Sequence, residues 1–222
     1  MATQILMRRI FILAALALLS AGCGRSDPGA AQRNADLPGV WTSERGYRND
    51  FFGLGVAIPS GWELKKGTEE EANERAVDFL AGDERNLRSA FKSAIAHTQT
   101  IFRAYRYSLG TPGKSNPNVT VLIENVTRLP GIKSADDYLR AMEDTLRLTN
   151  KAFNFLGGPR PVSVGGVQFA MREAELPIGT ITVHQRYYAK FRDGYVLLMG
   201  VATMAEEDEA EVQKVTASIK AP

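Results

Sequence analysis

The sequence predicts an α+β domain in which helices pack against an antiparallel sheet, behind an N-terminal leader. Three observations predict it. Strand-like runs occur in consecutive pairs joined by short turns, the pattern of hairpins rather than of helical crossovers. Segments with apolar residues at helical spacing lie between those pairs and need a surface to cover. The 222 residues are 44% hydrophobic and 23% charged, enough for one packed domain of ordinary size.

Taken in order, Phe51 to Ile58 reads as the first strand. Pro59-Ser60-Gly61 turns it into a hairpin-like partner at Trp62 to Leu64, and Trp62 is expected in the core. Glu69 to Leu80 reads as a helix with acidic residues leading and Ala72, Ala76, Phe79 and Leu80 on one side. Gly82-Asp83 breaks it, and Asp83 is the expected cap of a second helix. In that helix Leu87, Ala90, Phe91, Ala94 and Ile95 make an amphipathic stripe. Thr100 to Ser108 and Val119 to Val126 form a long hairpin around a loop of Gly, Pro, Ser and Asn. Ser134 and Asp137 stand as a capping box before Tyr138, Leu139, Met142 and Leu146, with Asn150 as the stop. Four strands follow: 161–164, 167–175, 180–191 and 195–202. The last is apolar nearly throughout, as a central strand covered on both faces should be. Glu206 to Lys220 closes the chain as a helix, acids early and lysines late, packed through Val212, Val215 and Ile219.

Ahead of residue 41 the pattern changes. Arg8 and Arg9 precede an uncharged run from Ile10 to Leu19. That run suits a signal-peptide core and falls short of the roughly 20 residues a membrane span needs. Leu19-Ser20-Ala21-Gly22-Cys23 then places small residues before the only cysteine. It resembles the lipobox of bacterial lipoproteins, with Ser20 a less typical residue at its position. The expectation is a signal peptide over 1–22, lipidation of Cys23, a flexible tether over 23–40 and a domain over 41–222. The competing reading is an ordinary secretory signal, or an uncleaved anchor, with a chance cysteine. A tether of about 15 flexible residues would hold the domain roughly 20 Å from the bilayer on average. Gly24 follows the cysteine where an inner-membrane retention signal would have Asp, so the periplasmic face of an outer membrane is expected.

Charge excludes one class of partner. The chain has 27 basic and 25 acidic residues, and loss of Arg8 and Arg9 with the leader leaves 25 of each. Such a balance provides no dense basic surface for nucleic acid. A single cysteine excludes an internal disulfide.

A family resemblance rests on short motifs. Tyr47-x-Asn49, then Phe52 to Ile58 and Pro59-x-Gly61-Trp62, resemble the opening of the PsbP-like superfamily. Gly165-Gly166-Val167, Gln185-Arg186-Tyr187-Tyr188, Gly194-Tyr195 and the acidic last helix fit its later elements. The resemblance spans about residues 41–220. It covers the photosystem II extrinsic protein, Ran-binding nuclear import factors and DcrB-type envelope lipoproteins. It implies an α/β/α sandwich around an antiparallel sheet of about six to seven strands, helices on both faces, and proteins that mostly bind partners. The helical stretch 69–97 departs from that pattern.

Candidate chemistry is sparse. Gly113-Lys114-Ser115 lacks the glycine five residues upstream that a phosphate loop requires, since Ser108 stands there. His97 lies near a helix C-terminus, where positive charge is welcome. His184 shares a polar strand face with Thr182, Arg186, Tyr188 and Lys190. Two histidines without a defined third ligand do not make a metal site. No Gly-x-Ser-x-Gly elbow occurs, and carboxylate pairs such as Asp136/Asp137 sit at helix starts, where the dipole explains them. Arg103, Tyr105, Arg106 and Tyr107 interleave base and aromatic, which suits either a binding surface or long stems covering a sheet edge. The expected partner surface is therefore Arg103, Tyr105, Tyr107, His184, Arg186 and Tyr188. No catalytic residue, metal or cofactor is assigned. The functional expectation is a membrane-anchored module that binds a protein or envelope component. Its rival is a small-ligand carrier or enzyme using a cleft between sheet and helices.

Overall fold

The computed structural model describes residues 37, 39–112, 114–149 and 151–222. The signal peptide, Cys23 and most of the tether lie outside the described residues, as do Gly113 and the helix stop at Asn150.

Two sheets are present. Strands β1 (Val40–Trp41), β2 (Gly46–Asn49) and β3 (Leu54–Ala57) form a small antiparallel meander. Strands β4 (Glu63–Lys66), β5 (Thr98–Tyr105), β6 (Asn118–Asn125), β7 (Asn154–Val164), β8 (Val167–Ile178), β9 (Ile181–Arg192) and β10 (Tyr195–Thr203) form the large one. Its order is β4-β5-β6-β10-β9-β8-β7, and every neighbouring pair is antiparallel. Helices α1 (Glu70–Ala81), α2 (Arg85–Ile95), α3 (Ala135–Arg147) and α4 (Asp208–Thr216) complete the described chain. The α+β class and the antiparallel sheet with helices on both faces are as the sequence predicts.

Strand β10 lies at the centre, and all of its residues are buried. Its alternation splits the core into two layers. Val196, Leu198 and Ala202 join a cluster with Phe91 of α2, Val77 and Leu80 of α1, and Leu139, Met142 and Leu146 of α3. Leu197, Met199 and Val201 join another with Val212 and Val215 of α4 and with Tyr47, Leu54 and Val56 of the small sheet. One face is thus covered by α1, α2 and α3, the other by α4 and the meander. Trp62 is buried in the second layer, as expected.

Several local expectations are corrected. The chain does not form a hairpin across Pro59–Gly61: β3 pairs with β2, while β4 crosses to the large sheet and pairs with β5. Trp62 N–H donates to Pro59 O at 3.1 Å in the turn between them. Asp83 does not cap α2, which starts after Glu84 without a side-chain cap. Ser134 does cap α3, accepting from Asp137 N at 3.1 Å, while Asp137 accepts from Lys133 N at 3.1 Å. Strand β7 runs from Asn154, not 161, because a bulge between Leu156 and Arg160 absorbs Gly157, Gly158 and Pro159. An edge strand tolerates such residues, since its outer side needs no partner. Helix α4 ends at Thr216, and the tail returns to bridge Lys220 with Gly55.

The packed domain also begins before residue 41. Leu37 is buried in the second core layer. Asn49 Nδ2 donates to Leu37 O at 2.7 Å and to Tyr47 Oη at 2.9 Å, and Asn49 Oδ1 accepts from Phe52 N at 2.9 Å. One fully buried amide therefore ties the end of the expected tether to the meander.

Candidate functional site: a charged recess and a buried polar row

The six residues expected to share a partner surface do not share one. Tyr188 packs in the layer under α4, so His184 and Arg186, at period two from it on β9, stand on that face. Arg103 pairs with Thr120, which shares its face with Leu122 of the opposite layer, so Arg103 and Tyr105 point toward α1. Arg103 and Tyr105 are 2% and 3% exposed, and Tyr188 is 7% exposed, packed edge-on against Phe169. These three are interior residues, which corrects the surface reading. Burial pushes the Tyr105 phenol up to about 12 and raises that of Tyr188. Tyr107 lies past the end of β5, half-buried, in a turn where Asn116 bonds both its N–H and its carbonyl at 2.9 Å.

His184 and Arg186 do line a recess of about 420 Å³ with Leu156, Glu173, Gln185, Thr203, Met204, Glu206 and Glu209. Its walls follow from register, since Glu173 of β8 is the neighbour of Arg186 on β9, and His184 of β9 is the neighbour of Thr203 on β10. Its rim is the turn into α4, held by Asp208, whose Oδ2 accepts from Met204 N at 2.8 Å and Ala205 N at 3.0 Å. Arg186 forms a two-pronged pair with Glu209 at 2.8 and 2.7 Å. Arg160 reaches Glu173 at 3.1 Å, and His184 Nδ1 lies 3.5 Å from Glu175. Paired ions at a half-exposed rim are worth about 0–1 kcal/mol in stability. They shape a charged, self-neutralised surface suited to recognition. Among the described residues, no group of three or more His, Cys, Asp and Glu could hold a metal ion.

His97 lies just past the end of α2, but its environment does not welcome charge. Burial, and secondarily Arg128, hold its imidazole pKa below the ordinary value.

The face under α1 carries a feature that sequence reasoning missed. Lys65, Arg103, Thr120, Gly200, Tyr187 and Arg172 are register neighbours across six adjacent strands. Arg172 is buried and bonded to Glu143 of α3 and, at 3.4 Å, to Leu156 O. Arg103 Nη2 donates to Asn73 Oδ1 of α1 at 2.8 Å and to Thr100 Oγ1 at 3.3 Å. Its Nε and Nη1 have no hydrogen-bond partner among the described residues; the Glu69 carboxylate stands 3.7 Å from Nη1. Burial lowers the Arg103 pKa. Buried donors left unmade cost about 1–3 kcal/mol. No local sequence signal marks this row, because it exists only once the strands are in register.

Helices laid against a seven-stranded antiparallel sheet define the class of the domain. No family model matches the sequence. No curated protein matches it either. Among solved structures, the chain is similar to the cyanobacterial PsbP, CyanoP, of Synechocystis. That match has 12% identity and a TM-score of 0.44, over 91% of this chain and 98% of the other. It is similar to LpqN, involved in cell envelope biogenesis of Mycobacterium tuberculosis, with 13% identity and a TM-score of 0.39, over 76% and 83%. A Bacteroides thetaiotaomicron protein matches at 10% identity and a TM-score of 0.39, over 77% of this chain. The chain spans 45% of the length of that protein.

Proposed function

We propose that this chain is a lipid-tethered, non-catalytic module of the cell envelope that binds a protein or envelope component through the recess beside α4. The carrying observation is the recess itself: an open, charged concavity of about 420 Å³ in which Arg186 is already matched by Glu209. A partner that recognises it must exchange these pairs for its own, which favours selectivity over raw affinity. The tether rests on the sequence from Arg8 to Cys23 and on its polar continuation. A periplasmic address on an outer membrane rests on Gly24 alone.

The test has two parts. Mass spectrometry of the membrane-extracted chain should find residue 23 as the acylated N-terminus; an unmodified thiol or a retained leader overturns the anchoring. Affinity capture from membranes, run beside Cys23→Ala, should recover a partner that the unanchored variant loses. Turnover of a substrate panel by the domain, with no partner recovered by either form, overturns the binding reading.

A second reading, a small-ligand carrier, is favoured by the size of the recess, which falls within the usual range of ligand pockets. It predicts saturable small-molecule binding that Glu209→Ala removes.

A further inference from the structure

We propose that the end of the large sheet where β10 begins is a membrane-facing surface that settles onto anionic phospholipid headgroups. The proposal rests on the tether described above and adds to it the part of the domain that lies against the bilayer.

Four segments meet at this end. Asn125 N donates to His97 O at 3.0 Å, which joins the close of β6 to the chain entering β5. Val126 N donates to Gly194 O at 2.9 Å, which joins the loop after β6 to the turn between β9 and β10. Arg192 donates to Phe51 O in the turn of the meander, and the Phe51 and Tyr195 rings meet edge-on with centroids 6.0 Å apart. Leu37 borders a hollow of about 270 Å³ with His97, Asn125 and Tyr195. The covalent path from the leader therefore enters here. Cys23 lies 14 residues before Leu37, a length that reaches no more than about 50 Å when fully extended.

This end presents cations that the protein leaves unpaired. In the loop after β6, Leu129 N donates to Val126 O and Ile132 N to Leu129 O, both at 2.9 Å, and Leu129 and Ile132 pack against the core. That pinning leaves Arg128 and Lys133 exposed beside them. Lys92 stands exposed in the last turn of α2, and Lys190 is half-buried two residues before the end of β9. None of the four has an ion-pair partner among the described residues. Acids nearby are engaged: Asp50 meets Arg48 at 3.0 Å, Asp193 lies 3.6 Å from Arg192, and Asp137 accepts from Lys133 N at 3.1 Å. A surplus of positive charge results. Burial, and secondarily Arg192, lower the Lys190 pKa, and an anionic surface would relieve both. Three of the four cations are lysines, point charges without the planar fork that fixes a single ligand geometry. Such a set suits mobile anions that rearrange to meet it, as phospholipid headgroups do, and the attraction accumulates with each cation near the surface.

The test uses the full chain, extracted from membranes in detergent and diluted onto vesicles of phosphatidylcholine alone or mixed with phosphatidylglycerol. Flotation with the phosphatidylcholine vesicles reads the tether. Slower hydrogen exchange that requires phosphatidylglycerol reads the surface, so each can fail without the other. Exchange over residues 126–133 should slow at least threefold on the anionic vesicles, while residues 204–209 at the rim of the recess stay unchanged. The slowing should vanish in 1 M salt, where the screening length falls to about 3 Å. Arg128→Glu combined with Lys133→Glu alters two exposed side chains outside any ion pair, so the melting midpoint should hold and the slowing should be lost. Equal exchange on the two kinds of vesicle, slowing that survives 1 M salt, or slowing retained by the folded double variant overturns the proposal. So does a chain that floats with neither.

Discussion

Tyr138 of α3 donates a hydrogen bond of 2.8 Å to Glu124 of β6, and both side chains are buried in the layer between sheet and helices. Burial pushes the Glu124 carboxyl from its ordinary 4.5 up to about 7, against the opposing pull of the Tyr138 bond and of Arg128. The unfolded chain loses this proton near the ordinary value, whereas the folded chain keeps it to about 7. The folded state therefore holds the extra proton between those values. Stability from this group is greatest below the lower value, falls across the window and levels off above it. The loss is roughly 3 kcal/mol at one pH unit per 1.4 kcal/mol. Glu124→Gln keeps an acceptor for Tyr138 and removes the titration. Urea denaturation at pH 5 and pH 8 should show a clear fall in stability for the parent and a smaller one for the variant.

Asn49→Ala removes two donated bonds and one accepted bond from a fully buried position. The expected loss is about 3 kcal/mol, from the groups left unmatched at Leu37 and Phe52 and the lost bond to Tyr47. Denaturation reads the total, and faster hydrogen exchange over 39–49 would place it in the meander.

Gly165 has a φ of +57°, and a Cβ there would lie 1.6 Å from Ile219 O. The turn between β7 and β8 is thus pressed against the returning tail. Gly165→Ala combines left-handed strain with a backbone clash and should cost more than about 2 kcal/mol. Gly166→Ala, also at positive φ but with open space around it, should cost less. A comparison of the two melting midpoints separates clash from strain.

Glu209→Lys places two cations against each other at the rim of the recess. A half-exposed pair contributes little to the fold, so stability should change by no more than about 1 kcal/mol. Partner recovery in affinity capture should nevertheless fall several-fold, and Arg186→Glu combined with Glu209→Lys should restore part of it.

Much of the large sheet was legible because its strands obey simple rules. Tyr195 to Ala202 had to be central, since an unbroken apolar run needs cover on both sides, and it is. The stripe from Leu87 to Ile95, in which Phe91 and Ala94 are buried, and the cap at Ser134 were readable from spacing alone. The meander was not. Its first two strands are short, and Asn49 of the second bonds to Leu37, which lies in the stretch that reads as tether. The turn at Pro59–Gly61 looks like a hairpin in sequence, but a turn does not say which sheet receives the next strand. At the recess, His184 and Arg186 were legible by alternation, while Glu209 was not, since α4 brings it from 23 residues away. Arg103 was misread because alternation tells which residues share a face, not whether a helix lies over it.

The anchoring of Leu37 gives the molecule two poles. Leu37 borders a hollow with Tyr195, at the start of β10, whereas the recess opens at Thr203, where the same strand ends. At about 3.4 Å per residue, roughly 27 Å of rigid sheet separates them. A chain moored through residues upstream of Leu37 would be held at one end of that sheet with its recess at the other, so attachment and partner binding would not compete for the same surface.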